Sequence, residues 1–266
     1  MKIALITLST EGTILVQRLA MELTDAHIYL HEKIKPLPGT QSFGSIMELT
    51  AEIFPRYEGL LYIAPCGVVV RAIAPHVRSK HTDPAVVVAD AGGRFAVSLM
   101  GGHEGGANEL ALKTANILGG EPVITTTTEA LKPLIVGVGC RRGISAARIV
   151  AAVKEALAEA GAQLEQVRFL ASADIKAGEA GLIMAAQELK VPLRFIGSGE
   201  IRLSARSFTP SPLAALKINL PAVAEPAALL AGRRTRLILP RRTYNGITVA
   251  IARESFLWSA SDPAAP

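Results

Sequence analysis

Ala85-Val86-Val87-Val88-Ala89-Asp90, then Gly92-Gly93, then Arg94-Phe95-Ala96-Val97-Ser98-Leu99 is the stretch that decides the fold. Two apolar runs of strand length flank a Gly-Gly turn signal, so they read as adjacent strands of a hairpin. The second run ends in Gly101-Gly102-His103-Glu104-Gly105-Gly106-Ala107-Asn108-Glu109, and the spacing predicts a helix over Gly106–Leu118. Upstream, Lys2–Leu8, Ala26–His31 and Gly59–Ala64 read as strands. Thr13–Leu23, Ser42–Phe54 and Gly67–Ala74 read as helices, the last ended by Pro75, and Lys33–Thr40 reads as a loop. Strands alternating with helices predict an α/β fold with predominantly parallel sheets, flanking helices, and ligands at the C-terminal strand ends.

The threonine run opening Thr125–Pro133 marks a boundary, giving an N-terminal α/β domain over 1–130 and a basic C-terminal α/β domain over 131–266. The second domain begins with a strand, Leu134–Val138, and a helix, Ile144–Ala160. Strands follow at Val167–Ala171 and Pro192–Ile196, with helices at Ala177–Lys190 and Val223–Ala231. Ser204–Leu213 reads as an irregular loop. Arg236–Pro240 and Gly246–Ala252 read as a closing hairpin, and the tail from Ser259 on is expected to be frayed. A ligand cleft is expected between the two domains, because domain interfaces commonly hold small-molecule sites.

Of 266 residues, 50% are hydrophobic, and mean hydropathy is positive, which excludes a disordered chain. No apolar run reaches the ~18 residues of a membrane span, and no secretory cleavage site follows the first strand. The only cysteines, Cys66 and Cys140, are far apart and fit neither zinc spacing nor a disulfide framework, so a cytoplasmic location is expected. Residues 1–133 carry 11 basic and 13 acidic side chains, whereas 134–266 carry 17 and 10. All five histidines fall in the first half. The basic half lacks interleaved aromatics, which argues against nucleic acid. A small polycarboxylate or phosphate ligand accounts for the charge.

His103 is the leading functional candidate. Glycines on both sides let backbone and ligand approach the imidazole, which suits a general acid–base group or an axial metal ligand. The bland alternative is a histidine that caps a turn. Asp83 and Asp90 stand at opposite ends of Pro84–Ala89, and Asp90 is at the C-terminal end, the usual ligand edge. Asn108 and Glu109 have sufficient explanation as cap and first-turn residues. Val136-Gly137-Val138-Gly139-Cys140-Arg141-Arg142-Gly143 has the wrong glycine spacing for a dinucleotide loop. It still predicts a helix N-terminus carrying two arginines, a suitable cradle for carboxylates. Cys140 there is either a reactive thiolate or a small packing residue. In Ser172-Ala173-Asp174-Ile175-Lys176-Ala177-Gly178-Glu179, Asp174 reads as an N-cap and Glu179 as its capping-box acid. Lys176 reads as a candidate ligand-binding cation.

These segments resemble the cobalamin-biosynthesis protein G family, the cobalt-precorrin-5A hydrolases. Thr82–Val88 through Gly102–Ala111 is similar to its N-terminal domain. Val136–Gly143, Ala171–Glu179, Pro210-Ser211, Val223–Ala228 and Gly246–Arg253 are similar to its C-terminal domain. The resemblance runs through both halves in order. Longer members carry a central segment where only Thr125–Pro133 stands here. It implies a cobalt-bearing tetrapyrrole substrate whose δ-lactone is opened by water, with release of acetaldehyde and formation of cobalt-precorrin-5B. No cofactor and no protein-bound metal is implied, since cobalt arrives with the substrate. Under this resemblance His103 is the candidate base, with Glu104 or Asp90 orienting it, and axial contact of His103 with cobalt is a rival role. Gly102, Gly105, Gly106 and Asn108 are candidate substrate contacts, with loop amides as oxyanion donors. Cys140, Arg141, Arg142, Ser172 and Lys176 are candidate contacts for the macrocycle's carboxylates. Other enzymes of the pathway and a second copy of the chain are compatible partners, and no nucleic acid or membrane is expected. A non-catalytic tetrapyrrole carrier and a nucleotide-dependent enzyme using Gly137–Gly143 stay open as alternatives.

Overall fold

The computed structural model describes residues 1–256, apart from the side chains of Pro212, Leu213 and Lys217. The frayed tail expected from Ser259 lies outside the described residues. The chain divides into two compact units, Met1–Thr126 and Thr127–Pro266, four residues before the expected boundary.

The first unit runs β1 (Ile3–Thr7), α1 (Thr10–Glu22), β2 (Ala26–His31), β3 (Thr40–Phe43), α2 (Ile46–Ile53), β4 (Gly59–Ile63), α3 (Cys66–Ile73), β5 (Ala85–Ala89), β6 (Phe95–Met100), α4 (Ala107–Leu118) and β7 (Glu121–Val123). The sheet order is β3-β2-β1-β4-β5-β6-β7. Strands β1 to β5 are parallel, while β6 turns back antiparallel to β5 and β7 follows β6. The central strands β1, β4 and β5 are buried throughout, as continuous apolar runs in a two-sided sheet must be. Val16, Leu19, Leu110 and Ala111 of α1 and α4 cover one face. Leu49, Ile53, Val69 and Ile73 of α2 and α3 cover the other.

Two local expectations change. Lys33–Thr40 was expected as a loop leading to a helix from Ser42; instead Thr40–Phe43 is an edge strand, and α2 starts after Ser45, whose Oγ accepts from the Glu48 amide at 3.4 Å. Gln41 and Ser42 are exposed, so β3 has no apolar alternation to announce it. Pro75 does not end the helical path, because a 3-10 turn, Ala74–His76, continues through it. The β5–β6 hairpin carries a bulge. Val87 pairs with Ser98 but Val86 pairs with Met100, so Leu99 is an extra residue on β6.

The second unit runs α5 (Thr127–Ala130), β8 (Leu134–Cys140), α6 (Ala146–Glu159), β9 (Val167–Ala173), α7 (Ala180–Leu189), β10 (Leu193–Ile196), α8 (Ser198–Leu203), α9 (Pro212–Ile218), α10 (Ala224–Leu230), β11 (Thr235–Tyr244) and β12 (Ile247–Glu254). The order is β10-β9-β8-β12-β11, with β8, β9 and β10 parallel and the closing hairpin antiparallel. Helices α8 and α9 flank the expected irregular loop Ser204–Leu213, α9 starting inside its end at Pro212. Helix α7 begins only at Ala180, because Asp174–Lys176 is a 3-10 turn. Ile149, Val153 and Leu182 pack one face of the sheet. Helix α10 packs the other through Ala224, Ala228 and Leu229 against Ala250 and Ala252. No helix among the described residues is long and apolar enough to cross a membrane.

Candidate functional site

The glycine-rich block becomes the loop joining β6 to α4. Gly101 takes φ +76°, and a Cβ there would lie 3.3 Å from both the Ala85 Cα and the Pro84 carbonyl. A Cβ on Gly105 would lie 2.9 Å from the Gly101 carbonyl, and Gly106 starts the helix at φ +83°. Backbone packing therefore explains Gly101 and Gly105, and the left-handed φ explains Gly106. The amides of Gly105 and Ala107 donate to the Gly101 carbonyl, and that of Asn108 donates to Gly102. Those three N–H groups are committed within the loop. Asn108 is a clamp: its Oδ1 accepts from Ser98 Oγ at 2.8 Å and its Nδ2 donates to Thr126 Oγ1 at 2.9 Å.

His103 and Glu104 are exposed at the loop's crest. Glu104 accepts from Lys80 Nζ at 2.9 Å and lies 3.4 Å from His81 Nδ1. The Lys80 hydrogen bond, with the fields of Lys80, His81 and His103, holds its carboxyl below the usual range despite some desolvation. Lys80 and His81 were not among the expected site residues. They come from the segment between the 3-10 turn and β5, which Asp83 pins by accepting from the amides of Arg78 (2.8 Å) and Ser79 (2.9 Å).

Asp90 is elsewhere. Because β6 runs antiparallel to β5, the loop after β6 lies beside the start of β5, whereas Asp90 follows its end. Five residues of strand, about 16 Å, separate that end from Ala85. Asp90 closes the hairpin turn instead, accepting from the amides of Arg94 (2.8 Å) and Phe95 (2.9 Å) and from Arg94 Nε (2.9 Å). Burial pushes its carboxyl up, but these hydrogen bonds outweigh it and leave it lowered. Among the expected catalytic residues, His103 and Glu104 therefore stand together and Asp90 does not join them.

In the second unit, the parallel strands bring the loops after β8, β9 and β10 to one edge. Arg141 and Arg142 are exposed there, and Arg141 reaches the β11–β12 turn near Gly246. Cys140 is half-buried, and burial pushes its thiol up against the opposing field of Lys176, so a packing residue fits better than a thiolate. Ser172 is buried and donates to the Val138 carbonyl at 2.8 Å, so its hydroxyl is turned into the sheet rather than toward a ligand. Glu179 is not paired with Asp174 in a capping box. Its Oε1 accepts from the Gly143 amide at 2.8 Å, tying two loops of the edge together. Asp174 accepts instead from the amide and hydroxyl of Ser198 at the start of α8. Gly137 and Gly139 of the Val136–Gly143 run are packing residues: a Cβ on Gly137 would lie 1.9 Å from the Ala224 carbonyl, and one on Gly139 2.5 Å from Thr248 Oγ1, whereas Gly143 serves a turn at φ +76°. Helix α10 thus packs directly on β8 at Gly137.

The fold and these two edge clusters define a two-unit α/β protein with its polar groups gathered at strand ends. Residues 48–129 match the family model described as Cobalamin synthesis G N-terminal, and residues 134–252 match Cobalamin synthesis G C-terminus. The chain belongs to the cobalamin biosynthesis protein G family. The cobalt-precorrin-5A hydrolase of Salmonella typhimurium strain LT2 is 39% identical over 127 residues, covering 48% of this chain and 36% of that protein. That of Priestia megaterium is 46% identical over 91 residues, covering 34% and 24%. Protein CobE of Sinorhizobium sp is 35% identical over 128 residues, covering 47% of this chain and 83% of that protein. The matched part thus spans 36% and 24% of the two hydrolases.

Proposed function

We propose that this chain acts in cobalamin synthesis as a cobalt-precorrin-5A hydrolase, with His103 as the base that activates water. The observation that carries this reading is the ring of Lys80, His81 and His103 around Glu104 on an exposed, glycine-built crest. Water attacks the lactone carbonyl as His103 takes its proton. The acyl C–O bond breaks, leaving a carboxylate. The freed alkoxide carbon leaves as acetaldehyde as its carbon–carbon bond to the macrocycle breaks, with the electron pair passing into the ring system. Glu104 stabilises the imidazolium that forms, and Lys80 and His81 hold Glu104 in place. Within the second unit, Arg141, Arg142 and Lys176 are cations of the kind that bind carboxylates.

The test is anaerobic turnover of cobalt-precorrin-5A with acetaldehyde detection, for wild type and His103→Ala. The expected result is release by wild type and a loss of about 10²–10⁴-fold in the variant, with substrate still bound. Equal release by both removes His103 from the chemistry. A folded wild type that binds the macrocycle without releasing acetaldehyde overturns the hydrolase and leaves a carrier.

A further inference from the structure

The segment that delivers Lys80 and His81 to Glu104 also walls a cavity of about 340 Å³, within the size range of small-molecule sites. Phe54 and Pro84 are buried in its lining, and the His76 ring lies tilted at 40° to Phe54 with 5.7 Å between ring centroids. Arg78, Thr82 and Asp83 complete its polar side. Asp83 is tied through Oδ2 to two backbone amides, which share its charge. The Arg78 guanidinium makes no hydrogen bond or ion pair among the described residues. An apolar wall with an imidazole and an unpaired planar cation above it suits a carboxylate on a short apolar stem, which arginine grips in bidentate fashion.

We propose that this cavity is a carboxylate-arm subsite: Arg78 pairs with the carboxylate, His76 and Thr82 donate to it, and Phe54 and Pro84 line the stem. The assignment rests on the reading that a carboxylate-rich tetrapyrrole binds beside the His103 loop, since the same segment serves both. It makes Arg78 a residue of affinity and orientation, not of chemistry.

Two probes test it on the full chain. One is porphobilinogen, a single pyrrole with acetate and propionate arms, followed by amide chemical shifts. The other is uroporphyrin, an octacarboxylate, with its octamethyl ester as control, followed by fluorescence. Porphobilinogen should shift the amides of Arg78, Thr82 and Asp83 in wild type but not in Arg78→Ala. Arg78→Ala should weaken uroporphyrin about 10-fold or more, Arg78→Lys should recover part of that, and binding of the ester should not depend on Arg78. Uroporphyrin held equally by wild type and Arg78→Ala overturns the subsite and leaves the tetrapyrrole reading standing. Porphobilinogen at Arg78 without any uroporphyrin binding supports the subsite and overturns the tetrapyrrole reading. Binding of neither probe overturns both.

Discussion

Replacing Gly137 with alanine sets backbone packing against ligand binding as the reason for that glycine. The added Cβ would stand 1.9 Å from the Ala224 carbonyl oxygen and 2.8 Å from the Ala228 nitrogen, where real Cβ contacts do not fall below 3.0 Å. Helix α10 would have to retreat by about 1 Å from β8, a shift of the size that costs overpacked cores about 1–3 kcal/mol. The neighbouring contacts resist it, because Ala224, Ala228, Ala250 and Ala252 are all buried with no slack side chain among them. The cost should reach the upper end, about 3 kcal/mol, or a fall of roughly 6–12 °C in the melting temperature of the second unit. The two units need not unfold together, so the assay should be hydrogen exchange read separately on β8 and α10, with urea unfolding beside it. Gly178→Ala, with nothing within 4 Å of its added Cβ, is the control and should stay within about 0.5 kcal/mol of wild type. Unchanged stability and exchange in Gly137→Ala would refute the packing account. Loss of a bound nucleotide without loss of stability would restore the phosphate-loop reading.

Asp90→Ala should destabilise the first unit by about 1–2 kcal/mol through the lost turn bonds, measured by urea unfolding, and leave turnover within about twofold. A fall in turnover matching His103→Ala would return Asp90 to the site. Glu225 is buried and accepts from the Thr209 amide (2.6 Å) and hydroxyl (2.9 Å) and the Arg241 amide (2.9 Å). Glu225→Ala removes all three hydrogen bonds and should cost about 3 kcal/mol, while Glu225→Gln, which keeps an acceptor, should recover over half; equal losses in urea unfolding count against this. Tyr62 is fully buried on Thr50 Oγ1 at 3.0 Å, and burial pushes its phenol up to about 12. A folded pKa above the unfolded value of about 10 gives a contribution present below pH 10 and lost as pH rises toward 12, up to about 2–3 kcal/mol. Tyr62→Phe should flatten that alkaline fall in unfolding free energy, and an unchanged slope would contradict it.

Much of the frame was legible because burial leaves a local signature. Strand β2 was expected over the residues it occupies, and the hairpin of β5 and β6 followed from apolar runs around Gly92-Gly93. The edge strand β3 escaped because its exposed Gln41 and Ser42 carry no such signature. The site was half legible. The expected hairpin already implied that residues before β5 face those after β6, which puts Lys80 and His81 on Glu104 and Asp90 at the far end. Residue type and strand-end position, weighed without that reversal, favoured Asp90. The bonds from Gly143 to Glu179 and from Ser198 to Asp174 join positions 36 and 24 apart in sequence. No local pattern encodes such partnerships, so capping chemistry was the nearest guess.

The extra residue Leu99 makes the β5–β6 hairpin behave as a calliper whose jaws are Lys80-His81 and Glu104. Chain length should be tightly held between the jaws and loosely held at the tip around Asp90–Arg94. A residue inserted at the tip lengthens a turn and leaves the gap alone. A residue removed at Leu99 closes the bulge, and by the alternation of a strand it presents the opposite face of the following loop. Loop grafting or directed evolution on this scaffold therefore has a safe end and a forbidden one, although both belong to the same pair of strands.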